Sequence, residues 1–339
     1  SSAGARRRQP AATAPAASTA VNVPANLSGA TRMRMRPSSR VPRVGRVTDL
    51  VIRPMTPDDV PAAERLSDEG FFELDTRMRR VTDPQPQRRS DAHRAVWIQR
   101  TSHFVRTDPG GCWVAEDGAR LVGIATSFRR EVLWCLATYA VLPGHQGRGI
   151  GKPLLAAAMH HGRGCTRAIL SASSDPRAVR VYHQAGFEMH PQMYLTGSID
   201  RSAIPVVEKV RDGSASDIEL MDSLDRAARG AGHGPDHELM LSAWRLMVSD
   251  TSTGSGYAYV NERGSLALLA ASNRRTATRL LWAALAEGPD VATVAHVTGA
   301  NQWVLDVGFA ARLELHQEGY LALRGMRPPA PYVHNGALL

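Results

Sequence analysis

With 339 residues and 43% apolar side chains, the chain has material for two ordinary domains. No apolar run approaches the ~18 residues that span a membrane, so no membrane partner is expected. Nine of the 41 basic residues fall in residues 1–48, which hold no acid; the other 32 match the 32 acidic residues. The +9 net charge therefore belongs to one end, the body is neutral, and the charge is no argument for a nucleic-acid-binding domain.

Residues 1–48 are rich in Ala, Ser, Pro and Arg and predict a disordered, solvated tail. A transit-like leader and a weak electrostatic tether to nucleic acid stay open as its uses. A twin-arginine signal lacks its apolar region after Arg6–Arg8. Order is expected from residue 49, with a strand ending at Arg53. Thr56, Asp58 and Asp59 then supply helix-start chemistry. Residues 77–110, Arg-rich and broken by proline, read as short helices and loops. Strands follow at Cys112–Glu116, Leu121–Phe128 and Val132–Val141, with turn signals at Glu116–Gly118 and Arg129–Glu131. A glycine-rich stretch, "VLPGHQGRGIGKPLLAAAM", leads into a helix to about His161. A strand at Ala168–Ser171, a short helix ending at Gly186 and a strand over "MYLTGSI" complete the pattern.

After a linker near Gly197–Pro205 the pattern begins again. Arg53 and Asp59 are six residues apart, and so are Arg211 and Asp217. "ANQWVLDVGF" matches "RAVRVYHQAGF", with Gly308–Phe309 on Gly186–Phe187. The span from Arg53 to Gly186 is 133 residues and that from Arg211 to Gly308 is 97, so the second copy is 36 residues shorter. Where the first copy has its glycine loop, the second has "LAASNRRTATRLLWAALAE", a strand feeding a helix with no glycine.

Glycines at the mouth of a helix offer backbone N–H groups to a phosphate. A P-loop needs Gly where Gln146 stands, and Ser or Thr where Pro153 stands, so that spacing fails. A dinucleotide fingerprint counted from Gly147 would end on Lys152, so it fails too. The pattern present is Gln-x-x-Gly-x-Gly at Gln146, Gly149 and Gly151, after a strand ending Val141-x-Pro143 and before a helix. It resembles the coenzyme A motif of the GNAT N-acetyltransferase superfamily. Downstream, Tyr182, Gly186 and Phe187 are similar to that family's Tyr-x-x-x-Gly-Phe.

The resemblance implies an α/β fold: two tandem GNAT-like domains, each a mostly antiparallel twisted sheet flanked by helices. The first spans 49–200 and the second, degenerate, 206–328, with a tail at 329–339. It implies acetyl-coenzyme A as co-substrate, with the pyrophosphate on the N–H groups of Gly147, Arg148, Gly149, Ile150, Gly151 and Lys152. Pantetheine would pair with the edge at Tyr139, Ala140 and Val141, and Asp175 stands where relatives place an Asn beside that arm. Tyr182 would be the general acid that protonates the leaving thiolate; a phenol of reference pKa ~10 suits that task. The glutamate base of histone-type relatives is replaced by Cys135, so deprotonation through water is expected. Asp68, Glu69, Glu73, Asp75 and Glu131 are candidates to attract a cationic amine.

The three cysteines, Cys112, Cys135 and Cys165, fit no zinc spacing and read as free thiols in a reducing, cytoplasmic compartment. His145, His160 and His161 have no carboxylate at ligand spacing, so no metal is expected. In the second copy Val304 replaces Tyr182, so no catalysis is expected there; Trp282 and Trp303 read as core. The expected function is transfer of an acetyl group to a primary amine in a ternary complex. A coenzyme-sensing or partner-binding module without turnover is the alternative, and a mycothiol synthase-like enzyme a further one. The acceptor is undetermined, no nucleic-acid partner is expected, and a homo-oligomer stays open.

Overall fold

The computed structural model describes residues 50–79 and 85–339. The expected tail at 1–48 lies outside them. The first half of the chain opens with β1 (Leu50–Pro54), α1 (Val60–Met78) and α2 (Asp91–Thr107). A meander follows, of β2 (Cys112–Asp117), β3 (Arg120–Arg130) and β4 (Leu133–Val141). Then come α3 (Gly151–His160), β5 (Arg167–Ala172), α4 (Pro176–Gln184) and β6 (Glu188–Ser198). The second half repeats this order: β7 (Arg211–Asp212), α5 (Ile218–Arg229) and α6 (Asp236–Ala243). It continues with β8 (Arg245–Thr251), β9 (Gly254–Val260), β10 (Leu266–Ala271) and α7 (Arg274–Glu287). β11 (Val291–Thr298), α8 (Gln302–Ala310) and β12 (Glu314–Arg324) complete the repeat, and β13 (Tyr332–Val333) is added at the end.

The repeated Arg-x5-Asp spacing has one physical cause in both halves. Asp59 accepts from Arg53 Nη1 at 2.7 Å and from the Thr56 backbone N–H at 2.7 Å. Asp217 accepts from Arg211 Nη1 at 3.1 Å and from the Ser214 N–H at 2.9 Å. Each aspartate closes a capping box and ties the strand before it to the helix after it.

The sheets differ from one self-contained sheet per half. An eight-stranded sheet runs β1-β2-β3-β4-β5-β12-β6-β11, and a five-stranded sheet runs β13-β10-β9-β8-β7. β12 of the second half lies between β5 and β6 of the first, antiparallel to both. β6 of the first half lies between β12 and β11 of the second, again antiparallel to both. Each half thus places its last strand inside the other's sheet. Pro191 is tolerated in the interior of β6 because the β6–β12 register shifts between Gln317 and Tyr320. Gly319, in that shift, has no room for a side chain, since a Cβ would fall 1.8 Å from the Ala172 carbonyl oxygen.

α2 is a single 17-residue helix, where the sequence suggested short helices and loops. The Ser90 side chain accepts from the His93 N–H, and Trp97, Thr101, Phe104 and Val105 bury one face. The end of the chain is docked: Tyr332, Val333, His334, Leu338 and Leu339 are all buried.

Candidate active site

β4 and β5 run parallel and pair from Leu133↔Arg167 to Leu136↔Leu170, then separate. The cause lies on the other edge of β4. There the β3 register shifts between Thr126 and Ser127, so that Thr126 faces Thr138 while Ser127 faces Leu136. Ala137 is the extra residue of this bulge, and a bulge bends its strand. From Ala137 to Val141, β4 therefore has an edge with no strand beside it among the described residues, and all five residues are buried. The structure places Tyr139, Ala140 and Val141 on this free edge. α1 crosses it: a Cβ built on Gly70 would meet Ala140 Cβ at 3.7 Å.

The edge leads into the glycine loop. Gln146 Nε2 donates to the Val141 carbonyl at 3.1 Å, fixing the loop to the end of the strand. Gly147 has φ 84° and Gly149 φ 82°, left-handed conformations that favour glycine. A Cβ on Gly149 would meet nothing within 4 Å, so the backbone conformation, and no packed neighbour, accounts for this glycine. The N–H groups of Gly147, Arg148, Gly149 and Ile150 make no hydrogen bond to the described residues. Gly151 opens α3, whose positive end adds to the same field. Arg148 and Lys152 are exposed, with no ion pair among the described residues. Free donors, a helix N-terminus and two exposed cations thus lie within the six residues 147–152.

Tyr182 stands on α4, 0% exposed, with its edge toward Phe187 at 6.2 Å between ring centroids. Its hydroxyl is buried and has no hydrogen-bond partner among the described residues, and the Tyr139 hydroxyl is in the same condition. Burial, with Tyr139 nearby, pushes the Tyr182 phenol well above its ordinary range, so it keeps its proton at neutral pH. Asp175, also 0% exposed, caps α4 by accepting from the Arg177 N–H at 2.9 Å. It is held by Arg77 of α1 at 2.8 Å as well, so its place is structural, anchoring α1 to α4.

Cys135 is wholly buried in β4, and burial pushes its thiol up to about 12, which rules out a thiolate base at neutral pH. Of the five acids named from the sequence, Asp68 is engaged by Arg88 and by the Arg89 backbone N–H. Glu73 is engaged by Arg77, and Glu131 by Arg226 and the Gly232 N–H. Glu69 and Asp75 have no such pair among the described residues. Burial pushes the Asp75 carboxyl up to about 6. Only the structure separates these two from the others, because ion pairs between distant residues leave no local signal in a sequence.

The second half is built differently at each matching point. The free edge of its fourth strand is filled: β13 pairs with β10 through Leu269↔Val333 and Ala270↔Tyr332. The turn into α7 is capped tightly by Asn273, whose side chain accepts from the Thr276 N–H at 3.0 Å. Val304, wholly buried, stands where the first half has Tyr182.

The family model described as "Acetyltransferase (GNAT) family" matches residues 71–187, the stretch that contains the free edge, the glycine loop and Tyr182. No curated protein matches the chain significantly. Among solved structures, a proposed acetyltransferase from Pyrococcus horikoshii is similar with a TM-score of 0.66 and 17% identity, over 90% of this chain and 99% of that one. A GCN5-related N-acetyltransferase from Kribbella flavida is similar with a TM-score of 0.52 and 17% identity, over 81% of this chain and 71% of that one. One from Sphaerobacter thermophilus has a TM-score of 0.51 and 15% identity, over 82% and 96%. At these identities the structural likeness speaks for the fold, and the family match is confined to residues 71–187. Residues 71–187 are thus similar to the GNAT acetyltransferase family, and the fold of the whole chain is that of these structures.

Proposed function

We propose that the first half of the chain transfers an acetyl group from acetyl-coenzyme A to a primary amine, by direct attack within a ternary complex. The observation that carries this reading is the free edge of β4 leading into a loop with four unbonded N–H groups, with the buried phenol of Tyr182 near Tyr139 of that edge. The edge suits the amide-bearing pantetheine arm as an added strand. The loop and α3 suit the pyrophosphate, with Arg148 and Lys152 as counter-charges. An N–H of the free edge would stabilise the oxyanion, and Tyr182 would hand its proton to the departing sulfur. A neutral amine enters after losing its proton through water, since Cys135 is inert.

Asp75 and Glu69 are the acids left to hold a cationic acceptor. The second half shapes the assembly and carries no transfer, because its edge is filled and its phenol is replaced. Acetyl-coenzyme A with a panel of amines, followed by thiol release, tests the reading. Release that depends on the amine supports it. Tight coenzyme binding with no release on any amine supports the non-catalytic sensing module instead.

A further inference from the structure

Away from the free edge, α5 and α6 hold a cluster that the proposed reaction does not use. Asp222 and Asp225 lie three residues apart on one face of α5, and His233 and His237 flank the start of α6. Asp225, His233 and His237 are each 0% exposed. Asp225 Oδ2 is 2.7 Å from His233 Nδ1, and Asp225 Oδ1 accepts from the Tyr257 hydroxyl at 2.7 Å. Arg229, one turn along α5, gives Asp225 no ion pair; it donates to the backbone carbonyls of Ala231 and Gly232 at 3.0 and 3.1 Å. Asp222 Oδ1 accepts from the Gly234 N–H at 3.0 Å, and its Oδ2 is 4.0 Å from the exposed Arg226.

The decisive geometry is at His237. Its Nδ1 is 3.1 Å from the Tyr259 hydroxyl, which fixes the ring. Its Nε2 lies 3.3 Å from Asp222 Oδ1 and 3.6 Å from Asp225 Oδ2, yet is hydrogen-bonded to neither. A proton on Nε2 would aim at neither oxygen. Ligands ~2.0–2.1 Å from a tetrahedral ion lie about 3.3 Å apart, close to both separations. The contact between His233 and Asp225 needs to widen by about 0.6 Å to join the set. The Nε2 of His233 is likewise buried without a hydrogen-bond partner among the described residues.

We propose that Asp222, Asp225, His233 and His237 form a binding site for a divalent cation of the zinc class. Two imidazoles and two carboxylates are a borderline donor set that favours such an ion over calcium or magnesium. Tyr257 and Tyr259 orient a carboxylate and an imidazole from behind, as outer partners do in metal sites. The ion fastens α5 to α6, and α6 carries Asp236, which reaches Arg130 in the first half. Its role is structural, stiffening the junction between the halves.

The test is metal content and spectroscopy on the full chain, stripped of metal and then titrated with Zn2+ or Co2+. The expected result is about one equivalent retained, a rise in Tm with Zn2+, and the visible bands of tetrahedral Co2+. His237→Gln and Asp225→Asn are expected to lose all three. Should both variants fail to fold, the titration of the unaltered chain decides alone. A folded chain that keeps less than about a tenth of an equivalent, with no Tm rise and no Co2+ bands, overturns the proposal.

Discussion

Arg130 donates from Nε to Asp236 Oδ2 at 2.9 Å, joining the end of β3 to α6 across 106 positions of the chain. Asp236 is wholly buried and also meets His103 Nε2 at 2.8 Å. Arg130 reaches Asp108 Oδ2 at 2.8 Å, and Asp108 Oδ1 is 3.0 Å from His161 Nε2. Burial pushes Asp236 up, but His103 and Arg130 outweigh it, so its pKa lies below the usual carboxylate range. Asp108 is lowered in the same way, against burial, by His161 and Arg130.

Breaking this clamp leaves a buried guanidinium short of its partner. Asp236→Asn is expected to cost about 3–5 kcal/mol at pH 7, read from urea midpoints. A carboxylate with a lowered folded pKa contributes stability above its unfolded value of about 4. That contribution is lost as pH falls toward the folded value, so the cost of the substitution shrinks in acid. A cost under about 1 kcal/mol at pH 7 would show that the clamp does not hold the halves together.

The exchange of β6 and β12 makes each half dependent on the other. Separate fragments 49–205 and 206–339 are expected to be unfolded or aggregated, since each lacks the strand that fills its own sheet. Co-expression is expected to restore a folded pair. Circular dichroism and gel filtration read both outcomes, and a monomeric, cooperatively folded 49–205 would contradict the dependence.

Gly149→Asp separates binding from folding. Its Cβ meets nothing within 4 Å, although φ is 82°, so the stability cost is expected to stay near 1 kcal/mol. The added carboxylate stands among N–H donors offered to a pyrophosphate and is expected to abolish coenzyme binding by calorimetry. Arg148→Ala and Lys152→Ala are expected to weaken binding less, and most visibly at low salt.

Asp75 offers a pH signature. Its pKa is raised by burial to about 6, so the folded protein holds that proton longer than the unfolded chain. Stability therefore falls as pH rises from about 4 through 6, and the penalty persists above. Asp75→Asn is expected to raise Tm at pH 7 and leave it unchanged at pH 4, while KM for a cationic acceptor increases. An unchanged Tm at both pH values would remove Asp75 as a strained carboxylate.

Much of the frame was legible in the sequence because it is written in local patterns. The meander, the glycine loop and the Arg-x5-Asp repeat each depend on neighbours within a few residues. What was not legible depends on partners far apart. Nothing in β12 itself says that it lies beside β5 and not in a sheet of its own. α2 was missed because its buried stripe, Trp97 to Val105, is interleaved with arginine and histidine. The filling of the second edge by Tyr332 and Val333 was hidden in a proline-rich tail. His233 and His237 went unremarked because their carboxylate partners lie a helix away. For the site, the motifs pointed to Tyr139, Gly149 and Tyr182; the bulge at Ala137 that opens the edge emerged only in three dimensions.

Tyr182→Phe changes one oxygen atom that has no hydrogen-bond partner among the described residues. Thiol release from acetyl-coenzyme A is to be measured for both proteins across pH, with an amine the unaltered chain accepts. The expected result is a fall in kcat of about 10²-fold, with coenzyme affinity and Tm nearly unchanged. An unchanged kcat at every pH would contradict the assignment of Tyr182 as the acid that releases the thiol.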